Sequence, residues 1–287
     1  MTYRRRASPL HAARAGVGSL FCVVLAGVAL SFEHPVLLGA VLFAVGLAGA
    51  GAGVADVVAR SLAWGLPFAV LIAVINALVV RDGLTVIARL GDVGPFGAVD
   101  VTLEATTYGA ILGLRAMIVI ACFALHSAAV DPDELLRAFR RLSFRSALTA
   151  ALATRMVPVL ARDARRFRDA QRCRPGRPAS RLAIARAVTT GALDRAVDVA
   201  ATLEVRGYGG ARRPPRQSRP WSRHDLAFAG AAVALAALGI AAAVLGWESF
   251  EAYPRTVAPL DGGVLALAGA LLACAGLPFA DRRGVGR

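Results

Sequence analysis

Residues 108–134 read YGAILGLRAMIVIACFALHSAAVDPDE, and this stretch decides the fold. Its first 23 residues carry a single charge, Arg115, and are long enough for a helix to cross the roughly 30 Å hydrocarbon core of a bilayer. In lipid such a run must be helical, because its backbone groups cannot go without hydrogen bonds. The run stops at Asp131-Pro132-Asp133-Glu134, where a capping acceptor, a proline and a glutamate predict the start of a new helix. The chain therefore passes from a membrane helix into a polar helical segment at residue 131.

The composition of the whole chain agrees with a membrane protein. Its 287 residues are 57% hydrophobic and 18% charged, whereas soluble domains are about 45–50% apolar and about 25% charged. All 33 basic residues are arginines, which excludes a Walker A lysine and a Schiff-base lysine. The cysteines and histidines show no zinc, redox or metal-ligand spacing. We therefore expect no catalytic residue, no metal site and no cofactor in this chain.

Six apolar windows are long enough to be transmembrane helices. They are Gly16–Phe32, Val36–Val54, Ser61–Val80, Tyr108–Val130, Leu226–Trp247 and Gly262–Ala280. The first follows an arginine-rich N-terminus but precedes no cleavage site, so we interpret it as a retained helix and not as a signal peptide. When successive loops are assigned to opposite sides, 29 of the 33 arginines fall on one side. This excess predicts that both termini and residues 131–224 lie on the cytoplasmic side of the cell membrane.

The fold class that follows is all-α. We expect a polytopic membrane protein with about six transmembrane helices and a long cytoplasmic helical hairpin. Residues 1–130 would form an N-terminal membrane part with four helices, residues 131–224 the cytoplasmic part, and residues 225–287 a C-terminal membrane part with two helices. The cytoplasmic part carries 21 arginines and eight acids, or +13 of the net charge of +14. That charge could fix the topology, contact anionic headgroups or bind an acidic partner.

Apolar residues within the cytoplasmic part recur at three- and four-residue steps, which is the period of an amphipathic helix. They predict a short helix through Arg141 and two long helices, from about Arg145 to Cys173 and from about Ala179 to Gly207. Pro158 is expected to kink the first long helix.

Each long helix ends in an arginine that is followed by a helix breaker. The two triplets are Cys173-Arg174-Pro175 and Val205-Arg206-Gly207. One interpretation is plain C-terminal capping, since a cation favours the negative end of the helix dipole. The other is that each helix presents a planar, five-donor guanidinium to the carboxylates or carbonyl groups of a partner.

Further motifs follow one another along nearly the whole chain. They are His34-Pro35, Asn76, Thr102-Leu103-Glu104, Leu114-Arg115, Asp131-Pro132-Asp133-Glu134-Leu135, Arg155-Met156-Val157-Pro158, Ala170-Gln171-Arg172-Cys173-Arg174, Leu203-Glu204-Val205-Arg206-Gly207-Tyr208 and Tyr253-Pro254-Arg255. This order resembles the transmembrane T component of energy-coupling factor (ECF) transporters, the family that includes the cobalt-transport permease subunit. The two arginines flanked by breakers are the most specific part of the resemblance.

The resemblance implies a role in ATP-driven import. In that family the arginine triplets insert into grooves on a pair of ATP-binding-cassette ATPases. Carried over to this chain, the coupling residues would be Cys173, Arg174, Pro175, Val205, Arg206 and Gly207. The other partner would be a separate substrate-binding membrane protein, the S component, which takes a vitamin, a vitamin precursor or a transition-metal ion. ATP hydrolysis would belong to the partners, so this chain would not be an enzyme.

One residue departs from the pattern of the resembled family. Its first triplet usually ends in a small residue, whereas Pro175 occupies that place here. The geometry of the first contact is therefore open.

Arg115 supports a different hypothesis. A charge inside a span costs about 3 kcal/mol on insertion scales, so Arg115 should either pair within the bundle or line a pathway, with His126 as the other polar group. A self-sufficient secondary transporter or channel is thus the alternative function. A nucleic-acid binder is disfavoured, because few aromatic residues accompany the arginines. The motif Gly109-x-x-x-Gly113 predicts a close approach of two helices.

Overall fold

The structure is a computed structural model. It describes residues 3, 6–80, 85–92, 98–139, 144–173, 175, 180–207, 220–246, 261–281 and 283. The chain divides into two compact units, of which one comprises residues 1–135 and 221–287 and the other residues 136–220. We call them the bundle unit and the hairpin unit.

The bundle unit is built from apolar helices. They are α1 (Pro9–Ala12), α2 (Ala15–Ser31), α3 (Pro35–Gly51), α4 (Ala55–Val79), α5 (Leu103–Ala129), α9 (Arg223–Leu245) and α10 (Gly262–Gly276), which continues as a 3-10 turn through Phe279. Among the described residues, α4, α5, α9 and α10 with its 3-10 turn are long and apolar enough to cross a membrane, and α2 and α3 are apolar helices of 17 residues each. A helix lies at each of the six predicted spans, and the prediction of an all-α polytopic fold is confirmed.

A short β-hairpin interrupts the helical pattern. Strands β1 (Val86–Asp92) and β2 (Ala98–Thr102) pair antiparallel, with Val86 opposite Thr102. The sequence analysis did not predict them, because two short strands give a much weaker pattern than six long apolar windows. The hairpin leads directly into α5, where the Thr102 hydroxyl accepts a hydrogen bond from the backbone N–H of Ala105 at 3.3 Å.

Glu104 ties the start of this hairpin to α5. The side chain is only 1% exposed, and both carboxylate oxygens accept the backbone N–H of Thr85, each at 3.2 Å. A buried carboxylate needs such donors, because burial without hydrogen bonds is costly. Glu104 therefore fixes the direction in which the chain enters α5.

Small residues let α4 and α5 approach closely. A Cβ at Gly113 would lie 2.7 Å from the carbonyl oxygen of Ala69, and a Cβ at Gly109 would lie 2.9 Å from that of Ala73. Neither position could hold a larger residue without moving the backbone. The predicted packing role of Gly109-x-x-x-Gly113 is confirmed, and its partner is α4. The opposite side of α4 exposes large apolar side chains such as Trp64, as expected of a helix that faces lipid.

The remaining helices of the bundle unit pack around aromatic side chains. Phe21, Phe228 and Phe279 make edge-to-face contacts with one another, with ring centroids 5.1–6.3 Å apart. Gly51 at the end of α3 lies against the ring of Phe279 and has no room for a Cβ. These contacts bring α2, α3, α9 and the end of α10 together at one end of the bundle.

The hairpin unit consists mainly of two long helices, α7 (Phe144–Arg172) and α8 (Arg181–Val205), whose bounds lie within two residues of the predicted ones. A short helix, α6 (Pro132–Phe139), precedes them, and Asp131 accepts the backbone N–H of Asp133 at 2.9 Å, as a capping residue does. Helices α7 and α8 pack against each other, and Arg195 of α8 donates to Asp163 of α7 at 3.0 Å. Pro158 lies inside α7. The predicted end of the short helix, at Arg141, is outside the described residues.

The close α4–α5 contact gives a first test. We expect Gly113→Ala to lower the free energy of unfolding in detergent by about 1–3 kcal/mol, because the new methyl group meets the backbone of Ala69. The matched control is Gly230→Ala in α9, where a Cβ would meet nothing within 4 Å. Equal stability of the two variants would contradict the packing role of Gly113.

Candidate coupling site and the intramembrane arginine

The first predicted coupling triplet follows the end of α7. The backbone N–H of Cys173 donates to the carbonyl oxygen of Asp169 at 3.2 Å, which closes the last helical turn. Cys173 and Pro175 are both exposed. Arg174, the residue at the centre of the triplet, is outside the described residues.

The second triplet ends α8. Val205 is the last helical residue and is 89% exposed, and Arg206 directly follows it and is also exposed. The backbone N–H of Gly207 donates to the carbonyl oxygen of Glu204 at 2.8 Å with a φ of +71°. A positive φ strains residues other than glycine, so Gly207 is suited to end the helix at this point.

The capping and partner-binding interpretations of Val205-Arg206-Gly207 are compatible in this geometry. Backbone groups close the end of α8, since the N–H of Arg206 donates to the carbonyl oxygen of Thr202 at 3.2 Å. The cap therefore does not require the guanidinium of Arg206. An exposed five-donor group next to a rigid helix end can bind a carboxylate or a carbonyl group of another protein.

The same unit carries a basic surface on α7. Its arginines at positions 155, 162, 165, 166, 168 and 172 are all exposed. The apolar residues Leu152, Met156, Val159 and Leu160 are half-buried. Helix α7 therefore has an apolar side toward its own unit and a cationic side toward its surroundings, and the cationic side suits an acidic surface.

Arg115 is engaged with the chain between α2 and α3. Its Nε and one terminal nitrogen donate to the carbonyl oxygen of Phe32 at 2.9 and 2.6 Å, and the same terminal nitrogen lies 3.3 Å from a carboxylate oxygen of Glu33. The Arg115 side chain is 16% exposed and that of Glu33 is 52% exposed. Since Phe32 is the C-cap of α2, the positive charge also sits at the negative end of a helix dipole. Of the two roles that the sequence left open for Arg115, the geometry shows pairing within the bundle.

The other intramembrane polar residue that the sequence analysis named, His126, also has a partner. Its Nε2 lies 3.0 Å from the hydroxyl of Ser19, so a hydrogen bond links α5 to α2. Sequence inspection could not find this contact, because the two residues are 107 positions apart.

A buried ion pair was also missed. Arg14 precedes α2, and its Nε lies 3.3 Å from Asp225 at the start of α9, whose side chain is fully buried. The backbone N–H of Arg14 donates to the same carboxylate at 2.7 Å, and its guanidinium lies over the ring of Trp221 at 5.3 Å. The motif Ser222-x-x-Asp225 predicts a helix cap from sequence, and the cap is present. Nothing in the sequence indicates that Asp225 also binds Arg14.

Polar contacts continue at the C-terminal end of the bundle. Arg223 lies 3.5 Å from Asp281, and the ring of His224 lies within 3.2 Å of the carbonyl oxygen of Arg283. The backbone N–H of Arg283 donates to Asp281 at 3.0 Å and holds the pKa of that carboxyl below its usual range. The start of α9 is therefore attached both to the N-terminal segment and to the C-terminal segment.

Long apolar helices joined to a strongly basic helical hairpin define a multi-pass membrane protein. The sequence model of the cobalt transport protein (CbiQ) family matches residues 6–217, and the chain belongs to this family, the T components of ECF transporters. The match includes Arg115, Arg174 and Arg206. No curated protein matches the chain. Membership identifies the chain as a membrane component of a transport system.

The contacts of Arg115 give a second test. We expect Arg115→Gln to lower the free energy of unfolding in detergent by about 1–3 kcal/mol, since the carbonyl oxygen of Phe32 loses its charged donor. Glu33→Gln is the control and should change stability by less than about 1 kcal/mol, because Glu33 is half exposed. An Arg115→Gln protein of unchanged stability that no longer supports transport would instead place Arg115 in a transport pathway.

Proposed function

We propose that the protein is the transmembrane scaffold and coupling subunit of an ECF-type ABC importer. Two cytoplasmic ATPase subunits bind ATP and close. Their motion reaches the membrane through Arg174 and Arg206, and α7 and α8 pass it to a separate substrate-binding membrane protein. The observation that carries the proposal is the end of α8, where backbone bonds and Gly207 close the helix and leave Arg206 exposed.

The basic surface of α7 supports the same proposal. The two helices are packed on each other and tied by the Arg195–Asp163 pair, so a push at one end can move the pair as a unit. At about 1.5 Å per residue, the 29 residues of α7 span about 43 Å, which is long enough to act as a lever beside a membrane. The exposed arginines would steer an acidic ATPase surface toward the two triplets.

The substrate is assigned to the S component and not to this chain. The description of the family favours a cobalt ion, and the wider resemblance leaves vitamins and vitamin precursors as alternatives. We further propose that both termini and the hairpin unit are cytoplasmic. The basis is the distribution of arginines between loops.

The alternative, a self-sufficient secondary transporter or channel, needs an intramembrane polar group that faces a pathway. Arg115 instead donates to the carbonyl oxygen of Phe32, and His126 is hydrogen-bonded to Ser19. These contacts occupy the two groups on which the alternative depends. The coupling role is therefore the better supported function.

Affinity purification of the membrane-extracted protein tests the coupling role. We expect the wild type to retain ATPase subunits and ATP turnover, and the double variant Arg174→Ala, Arg206→Ala to lose them, because each triplet would no longer offer its charged donor. The control is the double variant Arg181→Ala, Arg186→Ala, which removes two exposed arginines of α8 that belong neither to the triplets nor to the basic surface of α7. A wild type that binds no ATPase and moves solute when reconstituted alone would establish the alternative.

The exposed thiol of Cys173 tests the orientation. In the described residues the other cysteines are buried or half-buried, so a membrane-impermeant maleimide should label Cys173 first. We expect labelling in inside-out vesicles and none in right-side-out vesicles. Cys173→Ser identifies the labelled site, and the reverse pattern of labelling would place the hairpin unit outside the cell.

A further inference from the structure

The hairpin unit is an insertion in the bundle unit, so the chain crosses between them twice. It leaves the bundle unit after Leu135, within α6, and it returns at Trp221 just before α9. We call the chain from Val130 to Leu135 the first crossing and the chain from Trp221 to Asp225 the second crossing. Any force that the hairpin unit exerts through the chain must enter the bundle unit at these two crossings.

One N-terminal segment lies close to the first crossing and contacts the second. Leu10 of α1 and Val130 both lie over Gly18, where a Cβ would be 3.5 Å from Leu10 and 3.4 Å from Val130. Both apolar side chains are buried. Four residues further on, Arg14 reaches the second crossing through Asp225 and Trp221. Residues 8–14 therefore lie close to the start of the first crossing at Val130 and contact the second crossing at Trp221 and Asp225.

The contact at the second crossing joins residues 211 positions apart. Asp225 already completes the cap of α9, because it accepts the backbone N–H of Ser222 at 2.9 Å and its own N–H donates to the Ser222 hydroxyl at 3.1 Å. The cap thus does not require Arg14. What the side chain of Arg14 adds to the backbone hydrogen bond is an ion pair, with its Nε 3.3 Å from the fully buried carboxylate, and the contact to the Trp221 ring. Removing one partner of a buried ion pair is costly, because the charge of the other partner is left uncompensated.

We propose that residues 8–14 form a clamp that holds the two crossings together, and that Arg14 is a positioning residue for energy coupling. The inference rests on the coupling role proposed above. With the clamp closed, α5 and α9 move together when the hairpin unit moves. With the clamp open, α5 and α9 move independently, so a movement of the hairpin unit displaces one of them without moving the other. The family sequence model matches residues 6–217, and Asp225 lies outside this range. The match therefore does not include the Arg14–Asp225 pair.

The test is the amount of substrate imported per ATP hydrolysed, measured on the chain reconstituted in liposomes with its ATPases and S component. We expect Arg14→Gln to lower this ratio roughly threefold to tenfold, a size typical of residues that transmit coupling. Asp225→Asn should have a similar effect, and the double variant should lower the ratio no further, because both changes open one contact. The control is Arg223→Gln, since Arg223 is exposed and pairs with the exposed Asp281 at the same end of the bundle.

An assembled Arg14→Gln complex with the wild-type ratio would overturn the clamp and leave the coupling function intact. If Arg14→Gln cannot be purified, Asp225→Asn replaces it, because it removes the other charge of the same ion pair. A wild-type ratio for Asp225→Asn would then overturn the clamp.

Hydrogen exchange on the isolated chain tests the clamp without the partners. Arg14→Gln should speed exchange of the amides at residues 221–226 and also at residues 128–131, because opening the clamp releases both crossings. Faster exchange confined to residues 221–226 would overturn the proposal. A wild type that binds no ATPase would refute the coupling role. Hydrogen exchange would still decide whether the two crossings are joined, because this measurement needs no ATPase.

Discussion

A bilayer interior offers no hydrogen bonds to a peptide group, and this constraint governs the rest of the structure. It forces each apolar window into a helix, and it makes the close contact between helices the main source of specificity. Lipid chains are as apolar as leucine, so helices associate where small residues let them approach. The contact of Gly109 and Gly113 with the backbone of α4 is such a place. The β-hairpin belongs to the connection between α4 and α5, and the buried carboxylate of Glu104 holds its start.

Arginine is the only strongly basic side chain in this protein, and its environment decides what it does. Arg115 donates to the carbonyl oxygen of Phe32 and holds the connection between α2 and α3 against α5. Arg14 binds the buried carboxylate of Asp225 and attaches the N-terminal segment to α9. Arg206 is exposed beyond a helix that backbone bonds already close. One residue type thus gives an intramembrane anchor, a buried ion pair and a group available to a partner.

The fold was largely predictable, because its dominant features are long and periodic. Apolar windows located α2, α3, α4, α5, α9 and α10, and a three- to four-residue period together with the breakers located α7 and α8. The short hairpin of β1 and β2 was not predictable, because strand formation depends more on the packing context than on the preferences of a few residues. The exposed backbone-capped end at Val205-Arg206-Gly207 agrees with the sequence pattern, while the binding role of that triplet and of Cys173-Arg174-Pro175 stays a prediction.

The sequence by itself determined which segments are helices, where the charge lies and where each long helix ends, because these depend on neighbours within a few residues along the chain. The tertiary structure alone decided which polar groups meet. Arg115 donates to the carbonyl oxygen of Phe32, which is 83 positions away in the chain, and Arg14 binds Asp225, which is 211 positions away. Such pairs form because packing brings a donor beside an acceptor whose burial would otherwise be costly. No local pattern encodes that proximity, so the roles of Arg14 and Arg115 became visible only in the folded chain.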